Sequence, residues 1–118
     1  MKIAIIGKVN LGLPNEEWVC IFQTNVDITN ITQINITIGN GILNQYIRKY
    51  VKSHELMMTE YAPDFKTYGD EAKILRNVAL VENSDLVVSF QQKGSSKESW
   101  KLGQCILCGK DAKISYFN

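Results

Sequence analysis

Short apolar, β-branched runs alternate along this chain with longer segments of helical periodicity, and this alternation constrains the fold more than any other feature. Strands separated by helix-length segments cannot close into tight hairpins; a crossover helix returns the chain so that successive strands run parallel. The pattern predicts strands at residues 2–6, 34–38, 56–61, 86–90 and 113–117, and helices at 15–23, 43–52, 73–82 and 97–108. At 118 residues and 45% hydrophobic content, the chain can bury one core and is too short for two. The expectation is a single α/β domain: a three-layer Rossmann-like sandwich around a mainly parallel five-stranded sheet with right-handed crossovers.

Local signals agree with this plan. Pro14-Asn15-Glu16-Glu17 offers a turn, a capping residue and first-turn carboxylates that suit the positive end of a helix dipole. Gly109 follows the last helical pattern, where a left-handed C-cap is common. The polar, β-branched stretch 24–33 lacks Gly and Pro and reads as a loop or a short extra strand. Trp18 and Trp100 fall within helical patterns, where packing is the default role.

Charge excludes several function classes. Thirteen basic and twelve acidic residues leave a net charge of +1, so no strong field draws the protein to nucleic acid or to a membrane. Arg48-Lys49 with Lys52 is the one dense basic run and is expected on a solvated helix face. The apolar run that opens the chain is too short for a signal peptide or a membrane span and reads as a buried strand, so a cytoplasmic location is expected. Two Asn-Ile-Thr sequons, at Asn30 and Asn35, reflect an Asn- and Ile-rich segment in that context. Three cysteines give no disulfide framework. Cys105 and Cys108 have metal-like spacing, but a tetrahedral site needs about four ligands and only Cys20 and His54 remain, so packing is the expected role and neither metal nor cofactor is implied.

In an open parallel sheet, ligands collect at the carboxyl ends of the strands. Four loops there carry chemistry: Gly7-Lys8-Val9, Gly39-Asn40-Gly41, residues 64–77 and residues 91–96. Glycines in the first two let backbone N–H groups approach a phosphate near a helix N-terminus, although Gly39-Asn40-Gly41 also suits a tight turn with positive φ. Lys93-Gly94-Ser95-Ser96 supplies a cation and two hydroxyls. None of these loops has the glycine and Lys-Ser/Thr spacing of an ATP-hydrolysing P-loop. Asp64, Tyr68-Gly69, Arg76 and Asn77 set an acid, an aromatic beside a turn, a fixed cation and an amide around one strand-to-helix junction. Arg76 and Asn77 are expected in the first turns of the helix, with pairing to a carboxylate and local packing as the structural alternative.

At these positions the chain resembles the short YspA-like members of the SLOG superfamily, the Rossmann-like group that includes DprA and the LOG proteins. Ala62-Pro63-Asp64-Phe65, Tyr68-Gly69 and Arg76-Asn77 echo the family's Pro-Ala-Asp-Trp, Tyr-Gly and Arg-Asn without a gap. Asn83-Ser84-Asp85 with the strand ending at Phe90, and Gly109-Lys110, continue the likeness, which covers residues 62–117. Upstream, Gly7 is in place, but Val9 stands where an arginine is usual, leaving Lys8 as its substitute. The family's Gly-Gly-Ala-x-Gly-Ala-Asp loop becomes Ile38-Gly39-Asn40-Gly41-Ile42-Leu43-Asn44, with Asn44 for the acid. Lys97-Glu98 replaces the later Gly-Thr pair, and the Pro-Gly-Gly-x-Gly-Thr motif of phosphoribohydrolases has no counterpart.

The resemblance implies a nucleotide-related ligand without fixing an activity. The leading expectation is a module that senses or sequesters a nucleotide-derived signal, an ADP-ribose derivative or a cyclic nucleotide. It would bind through Gly7, Lys8, Gly39, Asn40, Gly41, Asn44, Asp64, Tyr68, Arg76, Asn77, Lys93, Gly94, Ser95 and Ser96, with Tyr68 or Phe65 flanking a base. Small size and a degraded catalytic loop fit sequestration on behalf of a phage or mobile element. The alternatives are a hydrolase of an N-glycosidic or phosphate bond using Asp64, Asp70 or Glu98, and DprA-like single-stranded DNA binding. His54 lies at the wrong end of its strand for catalysis and reads as a surface residue. A homo-oligomer is compatible with the sequence.

Overall fold

Residues 3–6 and 86–90 are buried on both faces of the sheet, which is why they read as nearly continuous apolar runs rather than alternating ones. In the computed structural model, which describes residues 1–9, 12–92 and 111–117, strands β1 (Lys2–Gly7), β2 (Gln33–Thr37), β3 (Met57–Tyr61) and β4 (Leu86–Gln92) form a parallel sheet in the order β3-β2-β1-β4. The sequence pattern predicts five strands. Four make up the packed sheet, and the backbone of β5 (Asp111–Phe117) runs parallel along the outer side of β4. Helices α1 (Asn15–Asn25), α2 (Ile42–Ser53) and α4 (Ala72–Glu82) connect the strands, with a single-turn helix α3 (Phe65–Tyr68) before α4. The expected helix at 97–108, with Trp100, Cys105, Cys108 and Gly109, lies outside the described residues.

Side chains divide by strand parity between two cores. Ile3 and Ile5 of β1, Ile34 and Ile36 of β2, and Val88 and Phe90 of β4 face α1 and α2. Ala4, Ile6 and Val87 face Leu80 and Val81 of α4. The first core is centred on Trp18, wholly buried and surrounded by Phe22, Tyr46, Tyr50 and Phe90 at ring-centroid distances of 5.3 to 6.1 Å. Leu43, Ile47 and Tyr50 fall on one stripe of α2, the 3.6-residue period that turns it onto the sheet.

Most buried polar groups are tied, with Trp18 Nε1 and Asn15 Oδ1 lacking a partner among the described residues. Asn35, on the α4 side of β2, donates to the Asn83 carbonyl (3.1 Å) and Ser84 Oγ (3.0 Å) and accepts from Gln33 Nε2 (2.7 Å), which anchors the α4–β4 turn to the sheet. Of the stretch 24–33, residues 24–25 end α1, residues 26–32 form a loop with a single 3₁₀ turn, Ile28–Asn30, and Gln33 opens β2, so there is no extra strand here. Within the loop, Asp27 accepts from the Thr29 amide and hydroxyl, and these bonds hold the Asp27 carboxyl below the ordinary carboxylate range. The capping role expected of Asn15 falls instead to Pro14, whose carbonyl accepts from the Trp18 amide (3.0 Å); Asn15 is the first helical residue and its Oδ1 is buried without a partner.

Candidate functional site

The chain leaves β1 at its carboxyl end through Gly7, which adopts φ +110°, a conformation that L side chains rarely enter. Gly7 pairs with Phe90 across β1 and β4, and the next amide, Lys8, donates to the Phe90 carbonyl (3.2 Å). A Cβ at Gly7 would sit 2.1 Å from that oxygen, so only glycine lets the two strands approach here. Lys8 is exposed beside this crevice.

At the carboxyl end of β2, the carbonyls of Thr37, Gly39, Asn40 and Gly41 accept hydrogen bonds from α2. Asn44 Nδ2 donates to the Thr37 and Gly39 carbonyls, each at 3.0 Å, and Gln45 Nε2 to the Asn40 carbonyl at 3.0 Å. Arg48 Nη2 also donates to the Gly39 carbonyl (2.7 Å), while its Nε pairs with Glu60 of β3 (3.1 Å). With the carbonyls committed, the amides of residues 39–43 have no acceptor among the described residues. Two expectations change. Gly39 and Gly41 do not adopt positive φ; Gly41, at −66°, is the N-cap of α2. Arg48 does not lie on a solvated face: it is half-buried and clamps the loop. Asn44 holds the loop together rather than being free for a ligand, because its one amide nitrogen serves two carbonyls.

Beyond β3, Asp64 caps α3, its Oδ1 accepting from the Thr67 amide (3.1 Å). Tyr68 is the last residue of α3, and Gly69 follows with φ +56° and ψ −128°, which turns the chain into a 3₁₀ turn and α4. Phe65 and Tyr68 stand 54% and 53% exposed beside this turn. Because α4 starts at Ala72, Arg76 and Asn77 sit in its second turn, within the first turns expected; their own amides belong to the helix interior and only their side chains can meet a ligand. Arg76 Nε donates to Asn77 Oδ1 (3.1 Å), and Asn77 is 4% exposed. Among the described residues, no carboxylate pairs with Arg76, and burial lowers its pKa.

Lys93, Gly94, Ser95, Ser96 and Glu98 lie outside the described residues. His54 is the exposed C-cap of α2, its ring stacked on Tyr50 at 4.0 Å, away from the loops above. Cys20, named with His54 as a further soft ligand candidate, is exposed on α1. Asp64 is occupied as a cap and Asp70 is exposed, and no group of three or more His, Cys, Asp or Glu side chains among the described residues could hold a metal ion. A cleft of about 430 Å³ is found at the opposite, amino edge of the sheet, between Met1, Lys2, Thr32 and residues 82–85. Ligand chemistry in parallel sheets belongs to the carboxyl edge, and this open cleft at the far edge gathers none of the loop amides or cations described above.

Gln45 and Arg48 are the residues that sequence reasoning misses. Their signal is positional: with Asn44 they fall on the first turns of α2, and 44 and 48 share one face. Among the described residues, no helix is long and apolar enough to cross a membrane. Neither a family profile, nor a curated protein, nor a solved structure matches the chain.

Proposed function

We propose that the protein binds a nucleotide or nucleotide-derived signal, an ADP-ribose derivative or a cyclic nucleotide, at the carboxyl edge of a Rossmann-like, doubly wound sheet. The observation that carries this reading is the run of amides at residues 39–43 that have no acceptor among the described residues, in a loop whose carbonyls bind Asn44, Gln45 and Arg48. Such amides at a helix N-terminus suit a phosphate. Arg76 supplies a cation that no described carboxylate neutralises, and Tyr68 or Phe65 an exposed ring for a base. The strand order β3-β2-β1-β4, with β5 next to β4, follows the doubly wound order, whose switch point falls between β1 and β4 beside Gly7 and Lys8.

The role is recognition or sequestration rather than turnover, since the carboxylates described near these loops are a helix cap, an exposed surface group and Glu60, which is paired with Arg48. The test is a thermal-shift screen with ADP-ribose, its cyclic derivatives and cyclic dinucleotides, followed by mass spectrometry of the recovered ligand. Stabilisation with unchanged ligand supports the proposal. Conversion to product moves the reading to a hydrolase, and retention of full binding by Arg76→Ala removes Arg76 from the site.

A further inference from the structure

Strand β3 closes one side of the sheet, and among the described residues no strand pairs with its outer edge. The Met57 amide donates to the Thr32 carbonyl (3.3 Å) and the Tyr61 carbonyl accepts from the Ile38 amide (2.9 Å), so Met57, Thr59 and Tyr61 direct their peptide groups at β2. In a parallel ladder the residues between them, Met58 and Glu60, point N–H and C=O away from the sheet. Natural edges are blunted by lysine, proline, a bulge or an inward charge. The β3 sequence Met-Met-Thr-Glu-Tyr has no lysine or proline, and its register with β2 is unbroken. Its single charge, Glu60, is neutralised by Arg48 at 3.1 Å.

We infer that β3 is a homodimer interface: two copies pair their β3 edges antiparallel about a two-fold axis through Thr59, making one continuous sheet. The register is self-complementary. Each Met58 exchanges its N–H and C=O with the partner's Glu60, and the two Thr59 residues stand opposite each other. On the α4 face, Met57, 69% exposed in the single chain, lies opposite the partner's Tyr61, a sulfur–aromatic contact. On the other face, Met58 lies opposite the partner's Glu60. Because each Glu60 already carries its own Arg48, no like charges meet at the axis.

The helices fit the same symmetry. α4 packs over both β2 and β3. With strands about 4.8 Å apart, a stretch of α4 lying midway between β2 and β3 stands about 10 Å from its two-fold mate, at the upper end of normal helix–helix packing distance, while Leu80 and Val81 lie farther in, against β1 and β4. The exposed Ile74 and Leu75 are apolar side chains that α4 offers for that contact.

The test is sedimentation equilibrium on the full chain and on Thr59→Lys and Thr59→Glu, each checked for folding by circular dichroism. The wild type should show twice the 13.4 kDa chain mass, each variant alone the single mass, and an equimolar mixture of the two variants the doubled mass again, because lysine then faces glutamate. Amide exchange on the wild type should show protection at Met58 and Glu60 that rises with protein concentration, a readout that needs no variant. A wild type that stays at the single mass up to millimolar concentration overturns the inference. So does a Thr59→Lys protein that remains dimeric, or a mixture that fails to associate.

Discussion

Replacing Gly7 by alanine isolates the closest backbone approach at the crevice between β1 and β4. The added Cβ would lie 2.1, 2.8 and 2.9 Å from the carbonyl oxygen, nitrogen and carbonyl carbon of Phe90. These are backbone atoms of a buried strand, so no side chain can swing aside; β1 and β4 must part, which strains the Lys8–Phe90 bond at 3.2 Å. Overpacking of this kind costs about 1–3 kcal/mol, and a non-glycine residue held at such a φ about 1–3 kcal/mol more. The expected loss is about 2–6 kcal/mol. A domain of this length has about 6–18 kcal/mol in total, so the variant should unfold at visibly lower urea with an unchanged m-value. Gly69→Ala is the control, because Gly69 also has positive φ but its Cβ would meet nothing within 4 Å; it carries the conformational cost alone. If Gly7→Ala loses no more stability than Gly69→Ala, the close approach to Phe90 does not govern this junction.

Three further outcomes concern the site and the Asp27 turn. Arg76→Leu should weaken binding of a phosphate-bearing ligand about 10- to 150-fold, the value of a charge-assisted hydrogen bond of about 1.5–3 kcal/mol. Its apo stability should shift by only about 1 kcal/mol, because relief of a desolvated cation opposes loss of the bond to Asn77; titration calorimetry and urea melts separate the two, and a large loss of stability would make Arg76 structural. Asn44→Asp sets a carboxylate against the Thr37 and Gly39 carbonyls and should cost about 2–4 kcal/mol at pH 7. Only the protonated form of the introduced carboxyl group can donate there, which raises its folded pKa, so the penalty should shrink as pH falls toward about 3.9; a pH-independent penalty would contradict the assigned bonds. For Asp27 the sign is opposite: bonds from Thr29 lower its folded pKa, so its contribution is present above the ordinary carboxylate range and lost as pH falls through the lowered value. Asp27→Asn should therefore flatten the acid limb of stability against pH, and an unaltered limb would remove Asp27 from that account.

The elements are legible wherever burial writes a period into the sequence. Strand β1 is expected at 2–6 and runs Lys2–Gly7; α2 is expected at 43–52 and runs Ile42–Ser53. Both carry apolar patterns that local sequence cannot disguise. Helix α3 escapes sequence reading because four residues make one turn and no period, so Tyr68-Gly69 reads as a simple turn. In the site, glycine identity alone does not tell Gly7, locked by Phe90, from Gly39 and Gly41, whose φ values are ordinary. That distinction is tertiary, set by which strand lies alongside. Arg48 is misread for the same reason: its guanidinium looks like a surface charge until Glu60 and the Gly39 carbonyl are brought beneath it.

Among the described residues the two cores of the sheet are unequal, and this divides the described fold into compartments of different depth. The α1–α2 side is filled by an aromatic cluster around Trp18, whereas the described neighbours of α4 are a handful of aliphatic side chains and the Asn35 bonds at its carboxyl end. Local opening follows buried contact density, so α4 should exchange its amides at lower free energy than α1 or α2, beginning at the end that carries Arg76. A ligand clasped between the Gly39 loop and Arg76 would span both compartments. Its imprint would then be slowed hydrogen exchange along α4, against little change in α2, whose amides the aromatic core already protects.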